Sequence, residues 1–266
     1  MSVTSGCVSL GGTVLATGAR DYETILWDIE SQKKSYSRRI DRNMVTHMKW
    51  LPSEMNTFVQ CSEDRRMRLY DIREDLAVQQ EIIVGDNFAG TCDVDESSTY
   101  IVTGHSGFNN SGCFVKLWDI RKMSDSTVEP VFQNEHSFSV VSARFLYTPE
   151  RDRGEVNIIS ASADMSMKVM NLEGDVKSSI SCSNSYSTMS PLKDSPTTTV
   201  SRSGSCSDSE EGEGESNRSE SYSGGEAIKT DTFVVAGTTA PQLITYAIDS
   251  ETLSIVQHGE STNLIQ

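Results

Sequence analysis

The side chains able to carry chemistry fall into three sets. The first is nucleophiles and ligands: four histidines (His47, His105, His136, His258) and six cysteines (Cys7, Cys61, Cys92, Cys113, Cys182, Cys206). They form no Cys-x-x-Cys pair and no His/Cys ligand spacing, and the chain has no Gly-x-Ser-x-Gly, His-Glu-x-x-His or Gly-rich phosphate loop. We therefore expect no catalytic residue, metal or cofactor, and read the cysteines as free thiols, with Cys7, Cys61 and Cys92 acting as small apolar residues in strand-like runs. The second set is cationic forks at Arg20, Arg42, Arg65 and Arg66, suited to carboxylate or phosphate. The plain alternative is that they are solvated charges balancing local acid. The third set is phosphate acceptors: Ser190 and Ser195, each before a proline, and Ser205, Ser207 and Ser209 ahead of Glu210 and Glu211.

The charge balance limits what those groups can meet. A net charge of −15 and a pI near 4.7 disfavour nucleic acid, which needs clustered Lys and Arg. No run of apolar residues is long enough to span a bilayer, and the first 20 residues lack a basic segment followed by an apolar one. The expected compartment is cytosolic or nuclear, without membrane insertion.

The elements that must position these groups announce themselves by repetition. Thr24-Ile25-Leu26-Trp27-Asp28-Ile29 recurs as Met67-Arg68-Leu69-Tyr70-Asp71-Ile72 and Val115-Lys116-Leu117-Trp118-Asp119-Ile120, and more weakly as Met167-Lys168-Val169-Met170-Asn171-Leu172 and Leu243-Ile244-Thr245-Tyr246-Ala247-Ile248. The spacing is roughly 40–50 residues until the last interval, which is longer, and such a period marks propellers or solenoids. Ahead of each marker lie alternating or β-branched runs such as Val45–Trp50 and Phe58–Cys61, separated by polar turns. Helical periodicity is lacking, so the fold class is all-β, built from four-stranded antiparallel units.

These units resemble the blades of the WD (WD40) propeller family, over about 1–172 and, weakly, 227–257. The resemblance implies a hydrogen-bonded tetrad of His, Ser/Thr, Asp and Trp in each blade. Here it is degenerate: Thr17, Asp21 and Trp27 in blade one, Asp64 with Tyr70 replacing Trp in blade two, Thr103 and Trp118 in blade three, and His136, Ser160 and Asp164 with Met170 replacing Trp in blade four. His105 and His258 are read as incidental and His47 as lining the ring. The family's fold brings the second-to-third-strand turn and the loop before the first strand to one rim, which would place Arg20, Tyr22, Arg42, Arg65, Arg66, Glu135, His136, Phe138 and Met165 there, a platform for proteins or acidic or phosphorylated peptides. On the opposite rim, Tyr70-Asp71-Ile72-Arg73 and Trp118-Asp119-Ile120-Arg121 resemble the W-D-x-R motif of cullin-4 ubiquitin-ligase substrate receptors. A further likeness, in Asn43–His47, Ser62–Asp64 and Gly107–Asp119, is to a group of animal WD-repeat proteins associated with cilia.

The expected organisation is blades one to four over 1–176, a disordered acidic-serine insertion over 177–226, a degenerate last blade over 227–258 and a tail over 259–266. The first strand of the fifth blade is not locatable in the sequence. Five blades against the family's usual seven, the first starting at its innermost strand, suggest a partial propeller rather than a small closed ring. The expected function is a non-catalytic interaction scaffold, in the cytoplasm or at the cilium, with the cullin-4 receptor as alternative.

Overall fold

The computed structural model describes residues 2–40, 44–107, 111–124, 128–147, 156–182, 184–191, 230–238, 242–249 and 252–262. Among these residues twenty strands form five four-stranded sheets, each in simple up-and-down order. Blade one holds β1 (Val3–Val8), β2 (Val14–Ala19), β3 (Glu23–Asp28) and β4 (Lys33–Arg39); blade two holds β5 (Val45–Trp50), β6 (Thr57–Ser62), β7 (Arg66–Asp71) and β8 (Ala77–Ile83). Blade three holds β9 (Ala89–Val94), β10 (Tyr100–His105), β11 (Phe114–Asp119) and β12 (Phe132–Glu135); blade four holds β13 (Val140–Tyr147), β14 (Val156–Ser162), β15 (Ser166–Met170) and β16 (Val176–Ser181). Blade five holds β17 (Tyr186–Pro191), β18 (Thr230–Thr238), β19 (Gln242–Asp249) and β20 (Ile255–Thr262).

Each innermost strand packs on the next, β1 on β5, β5 on β9, β9 on β13 and β13 on β17, which is the radial order of a propeller. The apolar clusters accordingly lie between blades. Leu26, Val45, Phe58 and Tyr70 fill the space between blades one and two, Val59, Met67, Ile101 and Trp118 that between two and three, and Leu117, Phe132, Ala143 and Phe145 that between three and four. The middle strand β6 is covered on both faces and buried throughout, with Phe58, Val59 and Cys61 in the interblade clusters and Thr57, Gln60 and Ser62 buried beside them. Outer strands such as β4 and β16 face water on at least one side and carry Lys, Arg and Ser.

Hydroxyls near the start of the inner strands stitch neighbours together. Thr4 Oγ1 donates to the Val45 carbonyl at 2.6 Å, Thr46 Oγ1 to Ala89 at 2.6 Å and Ser142 Oγ to Met189 at 3.3 Å. Gly104 allows the closest approach of blades three and four, since a Cβ there would stand 2.6 Å from Cγ1 of Val140.

The expected boundary of the serine-rich insertion needs correction. Residues 176–191 form the outermost strand of blade four and the missing first strand of blade five. Serine hides both, yet Tyr186 and Met189 are fully buried in the fourth-to-fifth cluster, and two anchors plus a ladder to β18 suffice. Ser190-Pro191 is therefore ladder, paired with Val235 and Val234, and not a loop that a kinase could thread. Ser195, Ser205, Ser207 and Ser209 lie outside the described residues.

Candidate functional site

Three turns on one rim repeat a single design. Asp21, Asp64 and Asp164 each accept a hydrogen bond from the backbone N–H two residues on, at 3.3 Å from Glu23, 3.1 Å from Arg66 and 2.8 Å from Ser166. The intervening residue is forced into left-handed backbone, with φ of 69° at Tyr22, 64° at Arg65 and 66° at Met165. That conformation costs a side-chain-bearing residue about 1–2 kcal/mol, yet three large side chains stand there. Backbone bonds tie these turns to the strand entries beside them: Glu63 N–H donates to Met44 O at 2.9 Å and Ala163 N–H to Ser139 O at 3.0 Å.

Arg20 and Arg65 are exposed on this rim and, among the described residues, make no ion pair. The Arg39 guanidinium stands 5.8 Å over the Tyr22 ring. Phe138 and Met165 are 47% and 43% exposed farther round. Arg66 does not belong with the unpaired cations: it bonds Glu81 on β8, because β7 and β8 pair in register at that edge. Arg42 lies outside the described residues. Among the described residues the rim therefore combines two guanidinium groups outside any ion pair with aromatic and apolar side chains, less basic than the linear sequence suggested.

Beneath the rim the blades carry distinct hydrogen-bond chains. In blade one Trp27 Nε1 donates to Thr17 Oγ1 at 2.8 Å. In blade three Trp118 Nε1 donates to Thr103 Oγ1 at 2.9 Å, Thr103 lies 3.0 Å from His105 Nε2, and His105 Nδ1 lies 3.0 Å from the Asn87 carbonyl. His105, read as incidental, thus completes the chain of its blade from the end of β10. In blade four His136 meets Asp164 at 3.2 Å through Nδ1 and Ser160 at 2.9 Å through Nε2. Met170 takes the Trp position there. Blade two keeps only Asp64 of the tetrad: Gln60 occupies the Thr position, Tyr70 the Trp position, and buried Arg68 bridges Asp64 at 2.5 Å and Glu81 at 2.5 Å.

Burial lowers the pKa of both histidines, that of His105 to about 4; for His136 the charge of Lys168 adds to the effect. The unfolded chain takes up protons below about 6.5 that the folded chain refuses. Stability is complete above that value and declines as pH falls through it, by about 1.4 kcal/mol per pH unit for each histidine held neutral. Urea midpoints at pH 7.5 and 5.5 should differ in that sense, and the His105→Gln/His136→Gln double variant should flatten the profile. Equal midpoints for the unsubstituted chain would refute this.

On the opposite rim Asp71 and Asp119 cap short 3-10 turns, Ile72–Glu74 and Ile120–Lys122. Each carboxylate clamps its own arginine, Arg73 Nη2 at 2.5 Å and Arg121 Nη2 at 2.8 Å. The side-chain hydrogen bonds from Arg73 and Arg121 hold both carboxyls below the usual range. Both guanidinium side chains remain 68% exposed, in the same pose on successive blades.

A row that sequence reasoning missed lines the axis. By register Cys7, Lys49, Asp93 and Arg144 hold equivalent positions on β1, β5, β9 and β13, and all four line a cavity of about 660 Å³ with His47. Lys49 pairs with Asp93 at 2.9 Å, and Arg144 donates to Cys92 O at 2.9 Å. The signal was available, since these residues recur at the repeat period, but their chemical types differ and no motif search links them. Among the described residues no group of three His, Cys, Asp or Glu is placed to hold a metal ion.

Rim, axis and interblade cores define an all-β, propeller-like arrangement of four-stranded antiparallel blades. No family model matches the chain. Over 114 residues, 43% of this chain, it is 25% identical to the Histone acetyltransferase type B subunit 2 of Candida albicans, of which that stretch is 29%. A solved chain from "Crystal Structure of Mitotic Checkpoint Complex" shares the fold with a TM-score of 0.67 at 13% identity, over 97% of this chain and 64% of that one. The chain thus spans under a third of that curated relative and under two thirds of that solved chain.

Proposed function

We propose that the chain is a non-catalytic protein-interaction scaffold whose rim of Arg20, Tyr22, Arg65 and Phe138 receives an acidic or phosphorylated segment of a partner. The observation that carries this reading is the set of Asp-held left-handed turns, which fix Tyr22, Arg65 and Met165 in place on a rigid frame. Pre-set side chains lose little entropy on binding, and two unpaired guanidinium forks beside an aromatic ring suit carboxylate or phosphate next to an apolar residue. The similar proteins, a subunit of one assembly and a member of another complex, accord with a scaffold role.

Affinity capture with the full chain tests it. Arg20→Glu/Arg65→Glu should lower capture of acidic or phosphorylated peptides at least about tenfold, a loss of about 1.4 kcal/mol, and the remaining binding should depend less on salt. Undiminished capture by that variant, at unchanged thermal stability, removes the rim from the account.

A second reading, substrate receptor of a cullin-4 ubiquitin ligase, is favoured by the matching exposure of Arg73 and Arg121 on successive blades. Capture of the ligase adaptor, lost in Arg73→Ala/Arg121→Ala, would support it; no capture by the unsubstituted chain would remove it. From the resemblance of Asn43–His47, Ser62–Asp64 and Gly107–Asp119 to a group of animal WD-repeat proteins associated with cilia, we further propose that the scaffold works in the cytoplasm or at the cilium, with the nucleus as the further compartment and cilium assembly or transport as the process. Phosphorylation at Ser195, Ser205, Ser207 and Ser209 is the proposed means of control.

A further inference from the structure

Charge is left unbalanced along the axis. Cys7, Lys49, Asp93 and Arg144, equivalent by register on four successive inner strands, line a cavity of about 660 Å³, within the roughly 300–1,000 Å³ of small-molecule sites. Burial pushes the Cys7 thiol up to about 12, so it is neutral. The Asp93 side chain is only 9% exposed: one oxygen stands 2.9 Å from Lys49 Nζ and the other accepts from the Phe145 N–H at 3.0 Å. Glu96, the wall's other carboxylate, is exposed on the loop after β9. Arg144 is partly buried and pairs with no carboxylate among the described residues.

That guanidinium is nevertheless fixed. Its Nη1 donates to Thr91 Oγ1 at 3.1 Å, Cys92 O at 2.9 Å and Ala143 O at 3.2 Å, and the first two acceptors belong to the neighbouring blade. The other edge, Nε and Nη2, meets no acceptor among the described residues. Two parallel N–H groups on a rigid plane fit the two oxygens of a carboxylate or phosphate. Held in place beforehand, they lose little freedom when such a group arrives.

We propose that the axial cavity binds a small organic oxyanion, a carboxylate or phosphate monoester on an apolar body, with the Nε and Nη2 edge of Arg144 donating to two of its oxygens. Lys49, whose side chain is 42% exposed, supplies a second positive charge on the other side of Asp93. Val8 and Leu10 on the same wall, 50% and 67% exposed, offer apolar area to the body of the ligand. The packed strands around the cavity form low-dielectric walls, which strengthen the attraction between the cations and an entering anion. Neither Arg20 nor Arg65 lines this cavity, so the site is independent of the rim.

Titration calorimetry of the full chain with phenyl phosphate, benzoate and phenol tests this, the two acids distinguishing the phosphate from the carboxylate source. One saturable site per chain is expected for at least one acid, with phenol bound at least about tenfold more weakly. Arg144→Lys keeps the charge but not the fork and should weaken binding of the acid about tenfold. Leu10→Glu alters an exposed residue and should weaken the acid several-fold while leaving phenol unchanged, so the test holds even where the Arg144 variant fails to fold. Arg20→Glu/Arg65→Glu should bind the acid as the unsubstituted chain does. No saturable binding of either acid at millimolar concentration, phenol bound as tightly as the acids, an affinity that Arg144→Lys and Leu10→Glu both leave intact, or an equal loss in the rim variant would each overturn the proposal.

Discussion

Trp118→Ala should lower the stability of the chain by about 3–5 kcal/mol, the largest loss expected from any single truncation. The indole is fully buried between blades two and three against Val59, Met67 and Ile101, so its removal opens a cavity that rigid strands on both sides cannot close. It also starts the chain through Thr103 and His105 to the Asn87 carbonyl, and the apolar cavity offers Thr103 no new donor. Trp27 makes the same bond to Thr17 but keeps part of its surface in water. Its truncation should cost less, since the transfer gain scales with area removed from water. Urea unfolding of the two variants side by side checks the order, and a Trp27→Ala loss equal to that of Trp118→Ala would contradict it.

Asp64→Ala is expected to cost about 2–4 kcal/mol, somewhat less than the full loss of a buried ion-pair partner because Glu81 remains. The Arg68 side chain is only 4% exposed, and its charge is compensated by Asp64 and Glu81 together. Without Asp64 the guanidinium stays buried with half its compensation. The same carboxylate accepts from Arg66 N–H and so holds Arg65 in its left-handed conformation on the rim. The double variant Asp64→Ala/Arg68→Met should recover most of the lost stability, because an apolar side chain of similar length needs no counter-charge. It should leave rim binding impaired, because the turn remains unsupported. A double variant no more stable than Asp64→Ala would show that the turn, not the ion pair, carries the cost.

The repeated markers ending at Trp27, Tyr70, Trp118 and Met170 were enough to read four-stranded units, since a strand covered on both faces is mostly apolar whatever its neighbours. Asp21, Asp64 and Asp164 were legible as turn residues for a similar local reason: their carboxylates bond backbone only two residues away. Less visible was the strand Tyr186–Pro191, whose serine-rich composition reads as linker and whose order comes from packing on β13 and β18. His105 escaped notice because its partners are 18 residues back and two residues back on the same strand.

What the sequence determined by itself is the all-β repeat, the positions of the interblade cores and the turns that present Tyr22, Arg65 and Met165, all consequences of apolar period and of short-range bonding. Only the tertiary structure decided which arginines are free, as Arg66 is claimed by Glu81 across a ladder while Arg65 is not. It alone brought Cys92 of β9 to within 3.3 Å of the His47 imidazole on β5. Ion pairing and thiol contact depend on distances across strands and between blades, and a linear pattern encodes which residues face inward but not which inward residues meet.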